Sequence, residues 1–508
     1  MRQVRVRELQ PYSLYDLTIA FKLSQEEASD LVHALINRGA VKLLSKEDAD
    51  DWFREGLRRN GERRYQFTFV GIIIWRDLLI VSYPKYFRNG EPPLKQLHQI
   101  LQVVRKQNSS SMGEPSFNEL GSESDDLLPL MFRLIELYDE YGEYTNSIEN
   151  FELNGLGQID WGRTISLRQP LFFNGEPVYV EYDSRKSRRD ELDYVTRLHR
   201  CMLTTCSRDL REWGVSDLLA LDDIWLSDEE LETFGDVETI AWQLEREKSV
   251  QFVTWKQEVL DVLERLVLKQ ESQVDKDELE CFGTTSFYNA WEIACKVAYG
   301  DELNSSLPGI GLGNIEYEEW RSRSNSTDPK LIDIIPQPYW VSPNSSDDGV
   351  VESRTSTLIP DAICIRKRSD GTKEFWIYDA KDYVPSWTKD GPKRVPGVES
   401  VTKQILYQSA YRKFILDQGF SSVKNLFLMP SAGAKPQLFA SVSFPGVFQK
   451  LDSPFSNYID VWEIPADMVF KAYLENRTLA EEERFGIFET VQHDQIDVKF
   501  DAEFRKWE

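Results

Sequence analysis

Leu358-Ile359-Pro360-Asp361-Ala362-Ile363-Cys364-Ile365 is followed by Ser369-Asp370-Gly371-Thr372 and then by Phe375-Trp376-Ile377-Tyr378-Asp379-Ala380-Lys381. Two apolar runs joined by an Asp-Gly turn predict a β-hairpin. Side chains alternate faces along a strand, so Asp379 and Lys381 point to the side shared by Phe375 and Ile377. A carboxylate and an ammonium at the end of a buried strand form either a working site or a costly ion pair.

An isolated Asp-x-Lys is common in an acid-rich chain; the ordered set is more specific. Pro360-Asp361 precedes Asp379 by 17 intervening residues within the one hairpin. Mg²⁺ takes oxygen ligands in near-octahedral geometry. Asp361, Asp379 and the backbone carbonyl of Ala380 would hold Mg²⁺, or Mn²⁺ in its place, and Lys381 would orient the attacking water and offset phosphate charge. Upstream, Phe287-Tyr288-Asn289-Ala290-Trp291-Glu292-Ile293 predicts a helix running to Tyr299, with Glu292 as a third carboxylate or a surface acid beside a core Trp. Downstream, a helix over 398–416 places Gln404, Gln408 and Tyr411 on one face, with Lys403 and Tyr407 adjacent. There Gln404 would bind the phosphate or the water, or be a surface amide. Strands are expected at 425–430 and 458–464, with a less defined one at 331–335. Helix, three strands, helix, strand is the order of a PD-(D/E)xK nuclease core.

The whole composition sets limits on this reading. Length alone suggests about three domains. With 41% apolar residues and 14 Trp, 21 Tyr and 27 Phe, the chain can fill real cores. A net charge of -25 repels nucleic acid at long range, so a nuclease here needs local basic patches, a metal or a partner that delivers DNA. The five cysteines are scattered, with no Cys-x-x-Cys, which fits buried thiols in a reducing compartment. The N-terminus has no apolar stretch of a signal peptide, and no apolar run approaches the ~18 residues of a membrane span. The expected location is the cytoplasm, with no membrane partner. There is no Gly-x-x-x-x-Gly-Lys-Ser/Thr loop, and Gly309-Ile310-Gly311-Leu312-Gly313 reads as a plain loop.

Residues 12–44 predict helix, turn, helix and strand, with a capping box at Ser24-Gln25-Glu26-Glu27 and an apolar face of Ala28, Leu31, Val32 and Leu35. This is a winged-helix-like unit, and its acidic second helix suits structure or protein contact better than phosphate. Two strands are expected within 65–87, helices at 94–105 and 127–141, and a Ser-, Asp- and Gly-rich linker at 107–126. Strands at Gln158–Trp161 and Pro177–Tyr182 flank Asn174-Gly175. The basic run Arg185–Arg189 reads as a solvated helix start or a phosphate contact. Long helical patterns fill 190–212 and 238–272.

The chain resembles the LlaJI-type restriction endonucleases, which are related to the McrC subunit of modification-dependent restriction systems. The resemblance rests on Phe69-Val70-Gly71-Ile72 with Pro84-Lys85-Tyr86, Ile159-Asp160-Trp161-Gly162-Arg163-Thr164-Ile165, Trp291-Glu292, Pro360-Asp361 with Asp379-Ala380-Lys381, and Lys403-Gln404-Ile405-Leu406-Tyr407. It implies a multidomain α+β chain: winged-helix-like over 1–60, a β-rich McrC-like region with long helices over 61–275 that docks a partner, and an α/β PD-(D/E)xK nuclease core over 276–508. It implies a type II/IV-like restriction endodeoxyribonuclease acting on duplex DNA with a McrB-like AAA+ GTPase ring, a hexamer in that family, which Arg163 would touch. A motor-independent repair nuclease and a non-catalytic adaptor of the motor are the competing functions.

Overall fold

The Asp370-Gly371 turn closes as its sequence requires. Gly371 takes a φ of 84°, and Asp370 Oδ1 accepts from the backbone N–H and hydroxyl of Thr372 at 2.9 and 2.7 Å. The turn sets Ala362–Lys367 antiparallel to Lys373–Ala380, with Ala362 opposite Tyr378 and Lys367 opposite Lys373. Ser422–Ser431 then pairs in parallel with Lys373–Ala380, and Ile459–Pro465 in parallel with Ser422–Ser431. Gln437–Val442 closes the far edge antiparallel to Ile459–Pro465. The result is a five-stranded mixed sheet.

Central parallel strands are buried on both faces and therefore apolar almost throughout. On one face Phe375 and Ile377 join Tyr407, Tyr411 and Phe414 in a core cluster. On the other, Trp376 and Tyr378 pack on Phe485, Phe488 and Tyr299. The helices Phe287–Tyr299 and Val398–Ala410 flank this sheet, the second being followed by a separate helix, Arg412–Asp417, instead of continuing to 416.

The computed structural model describes residues 1–44, 64–111, 126–272, 279–312, 329–336, 339–341, 350–352, 358–490 and 494–506. Most of the expected linker at 107–126 lies outside them. The protein is a multidomain α+β molecule with mixed sheets. Its contacts define two compact units, one of Met1–Val4, Ile72–Ile80 and Gly121–Phe282, the other of Arg5–Gly71, Val81–Leu120 and Gly283–Glu508. The sheet above lies in the second. All five cysteines are buried and unpaired. No helix among the described residues is long and apolar enough to cross a membrane.

Near the N-terminus, helices Leu14–Phe21 and Gln25–Asn37 accompany a three-stranded sheet of Pro11–Ser13, Arg64–Phe67 and Val41–Leu43. The capping box forms: Glu27 N–H donates to Ser24 Oγ, and Ser24 N–H to the Glu27 carboxylate. Ala28, Leu31, Val32 and Leu35 are buried as their spacing requires.

Four local expectations are corrected. Residues 331–335 do not form a strand; Leu331–Ile334 is a 3₁₀ turn whose Leu331 and Ile334 drop into the core. Asp160 caps a helix, accepting from Arg163 N–H at 2.9 Å, so the strand ends at Ile159 and Arg163 lies on the helix Trp161–Leu167. The hairpin at Asn174-Gly175 is made by Leu171–Phe173 and Glu176–Val178. Arg185–Arg189 belongs to the strand Asp183–Arg189, held by seven-residue pairing with Ser147–Leu153. In addition, the pattern over 238–272 is split into the helices Val237–Lys248 and Thr254–Ser272.

Candidate active site

Asp361 stands just before the strand Ala362–Lys367, and its Oδ2 accepts from Ala380 N–H at 2.8 Å. Asp379 is the penultimate residue of Lys373–Ala380 and is 3% exposed. Lys381 follows, with its Nζ 2.7 Å from Asp379 Oδ2. Its backbone is fixed as well, because Lys381 N–H donates to the Leu428 carbonyl at 2.9 Å. That carbonyl also receives the indole N–H of buried Trp291 at 3.0 Å. The helix Phe287–Tyr299 is thereby tied to the neighbouring strand at the level where Lys381 begins.

Burial pushes the Asp361 carboxyl up to about 7, and the adjacent Asp379 charge and hydrogen bond push in the same direction; Lys381 and the Ala380 N–H oppose them. Burial works against the Lys381 ammonium, but the Asp379 and Asp361 carboxylates outweigh it and hold its pKa above the ordinary lysine value. Two like charges confined in a poorly solvated place resist joint ionisation, which a cation relieves. The donors are all oxygen, the set suited to a hard cation.

Among the described residues no three His, Cys, Asp or Glu side chains are gathered closely enough to hold a metal ion. Glu292 is near enough to act on Lys381 electrostatically, but its carboxylate pairs with Lys296 one helical turn along, at 2.6 Å. Gln404 is fully buried: its Nε2 donates to the Ile377 carbonyl at 3.2 Å, while its Oε1 is buried without a partner. Tyr407 also faces the site, its hydroxyl pKa driven up by burial and then by Asp379, Asp361 and Glu292. Lys403 pairs with Glu399 on the exposed side of the same helix.

Arg163 lies elsewhere, in the other compact unit. Its guanidinium sits 4.5 Å from the Phe151 ring centre and 3.9 Å from Asp183. Close by in sequence, the hairpin tip exposes Leu171, Phe172 and Phe173 by 64%, 72% and 72%.

The sequence reading did not anticipate a buried ion pair beside the site, Lys85 Nζ to Asp382 Oδ2 at 2.8 Å. The two residues are separated by almost 300 positions, and no local pattern links them. Only the place of Lys85 in Pro84-Lys85-Tyr86, and of Asp382 directly after Lys381, drew notice to the two segments.

The family model for LlaJI restriction endonuclease matches residues 69–308 and 326–462. The chain belongs to that family. The matched segments contain Glu292, Asp361, Asp379, Lys381 and Gln404, as well as Lys85 and Asp382. The type II restriction enzyme BsuMI component YdjA of Bacillus subtilis (strain 168) is 26% identical over 433 residues, spanning 82% of this chain and 83% of its own length. Two structures of Thermococcus gammatolerans assemblies also show likeness at 11% identity. One, a half-complex of McrB AAA+ hexamers with bound McrC, has a TM-score of 0.33 with 94% of this chain and 99% of the other covered. The second, the McrBC complex, has a TM-score of 0.21 with 54% and 88% covered. Scores this low do not establish a shared fold.

Proposed function

We propose that this restriction-family chain is a DNA-cutting subunit that hydrolyses phosphodiester bonds in duplex DNA at Asp361, Asp379 and Lys381, within a PD-(D/E)xK nuclease domain over 276–508. The observation that carries the reading is the buried Asp361–Asp379 couple with Lys381 Nζ against it, inside the family match. The metal requirement is read from the same couple. Asp361 and Asp379, with the Ala380 carbonyl, would hold Mg²⁺ or Mn²⁺, and Glu292 is the nearby carboxylate that could join once parted from Lys296. Bound there, the ion lowers the pKa of water and offsets charge on the scissile phosphate.

The chain's own groups have separable tasks. Asp379 keeps Lys381 charged and oriented. Lys381 presents an ammonium, a donor with no acceptor capacity, to the attacking water or a phosphate oxygen. The Ala380 N–H fixes one Asp361 oxygen, leaving the other for a ligand. Gln404 ties the helix Val398–Ala410 to the strand that carries Asp379.

The partner proposal is a McrB-like AAA+ GTPase ring. The sequence has no phosphate-cradling loop of its own and a net charge of -25, so delivery of DNA by a motor fits both facts. The exposed Leu171–Phe173 tip and the neighbouring Arg163 supply an apolar surface with a basic residue for that contact. We assign the winged-helix-like unit over 1–60 a structural or protein-binding part.

An adaptor with a disabled nuclease fold has no need of Asp361, Asp379 and Lys381 together, which favours the enzyme. The test is plasmid cleavage with Mg²⁺ by the chain alone and with its system's AAA+ protein and GTP. Asp379→Ala should abolish cutting yet leave stimulation of the GTPase unchanged. Cleavage by the unaided chain, with preference for forks, would favour a repair nuclease; unchanged cutting by Asp379→Ala would remove this site from the reaction.

A further inference from the structure

Lys381 is followed by a tight turn. Tyr383 N–H donates back to the Lys381 carbonyl at 2.9 Å, so Asp382 is the central residue of a three-residue turn. With Lys381 N–H already bound to Leu428, both backbone polar groups of Lys381 are committed. The remaining freedom is the tilt of the turn, and that is governed by where the Asp382 side chain goes.

It goes inward. The Asp382 side chain is 2% exposed and meets Lys85 Nζ at 2.8 Å; among the described residues no other cation pairs with it. Lys85 is itself held from behind, with its backbone N–H donating to Glu8 Oε2 at 3.1 Å and its Nζ 3.9 Å from Glu8 Oε1. Three residues along, Arg88 donates to the Pro385 carbonyl and reaches Glu463 at 3.4 Å. The segment Pro84–Arg88 thus grips the loop after Lys381 at two points, Lys85 on Asp382 and Arg88 on Pro385, with matching spacing of three residues. Arg7 fixes the gripping segment by donating to the carbonyls of Phe87 and Arg88, both at 3.1 Å.

A buried ion pair is a poor source of stability, because desolvation offsets most of its attraction. Directional fixing of a neighbour is a task it does well, since a carboxylate held by one buried cation has little freedom to turn. We propose that Lys85 and Asp382 are positioning residues of the nuclease: their ion pair sets the turn that aims the Lys381 ammonium at Asp379 and the reacting phosphate. The inference rests on the assignment of Asp379 and Lys381 to phosphodiester cleavage.

Supporting groups of this kind typically change activity by about 10- to 100-fold when removed. The experiment compares Asp382→Asn, Lys85→Met, Lys85→Met/Asp382→Asn and Asp379→Ala in Mg²⁺-dependent plasmid cleavage, using the chain with its AAA+ protein and GTP. Thermal unfolding of each variant is followed alongside. Asp382→Asn should lower kcat by about 10- to 100-fold with KM for DNA little changed and folding intact. The double variant should be no slower than the slower single one, because both singles break one and the same contact. Lys85→Met strands two buried carboxylates; if it does not fold, Asp382→Asn decides alone. Wild-type kcat in Asp382→Asn, or a rate loss that only tracks lost stability, overturns the proposal while Asp379→Ala remains dead. If Asp379→Ala still cuts, the site assignment has failed first, and the positioning role falls with it.

Discussion

At the scale of single residues, the candidate site is a contest between burial and charge. The Asp361 and Asp379 carboxylates are crowded together, and Lys381 compensates one charge of two. That crowding was legible in the sequence because a hairpin fixes its own register: Pro-Asp at the start of one strand must meet Asp-x-Lys at the end of its partner. Glu292 and Gln404 were legible only as helix positions. Whether a helical carboxylate turns to a metal or to the lysine four residues on is decided by rotamers, and here it meets Lys296. Trp291 shows what adjacent packing contributes. Its indole shares the Leu428 carbonyl with Lys381 N–H, so Trp291→Phe leaves that carbonyl bonded and costs chiefly packing, about 1 to 3 kcal/mol. Its unfolding midpoint in urea should fall by that amount, with cleavage retained wherever the variant is folded. Loss of cutting in a fully folded Trp291→Phe would show that the shared carbonyl also places Lys381.

At the scale of elements, strands flanked by clear turns were well read, while boundaries set by a single side chain were not. Asp160 ended a strand and began a helix, and a five-residue basic run that suits a helix start was drawn into a strand by seven residues of pairing. The helix Tyr194–Glu212 carries a further element-level constraint. Tyr144 N–H donates to His199 Nδ1 at 3.0 Å, which requires that nitrogen to be unprotonated. Burial, then the charge of Arg200, depresses the His199 pKa from 6.5 to about 3. Between those values the unfolded chain binds the proton and the folded chain does not. The contribution to stability is therefore complete above pH 6.5 and declines as the pH falls toward 3, by about 1.4 kcal/mol per pH unit. His199→Gln keeps an acceptor for Tyr144 N–H and removes the titration. Urea unfolding between pH 7 and 5 should show a steeper loss in the wild-type chain than in His199→Gln, and parallel curves would mean that His199 is protonated in the fold.

For the molecule as a whole, the linear sequence could show that several domains exist but not how they interleave. One compact unit takes Ile72–Ile80 from within a stretch that otherwise belongs to the other. No composition shift marks such an exchange, because strand pairing and not the order of the chain decides it. Function divides along the same lines. The acids and lysine of the proposed cut belong to one unit, and the apolar tip Leu171–Phe173 with Arg163 belongs to the other. An exposed Phe gains little from water, so two at a hairpin tip, each 72% exposed, point to burial against a partner. Phe172→Ser/Phe173→Ser removes that apolar surface without touching a buried residue, so the fold should be unchanged by circular dichroism. If the tip is the motor contact, this variant should lose both GTPase stimulation and motor-dependent cleavage, whereas Asp379→Ala loses cleavage alone. Mixing the two variants is then informative. Should one chain serve both tasks, the mixture stays inactive; should two copies act in one complex, an Asp379→Ala chain that engages the motor could recruit a tip-defective chain that cuts. A tip variant that still stimulates the GTPase fully would move the contact elsewhere and leave the exposed phenylalanines without a role.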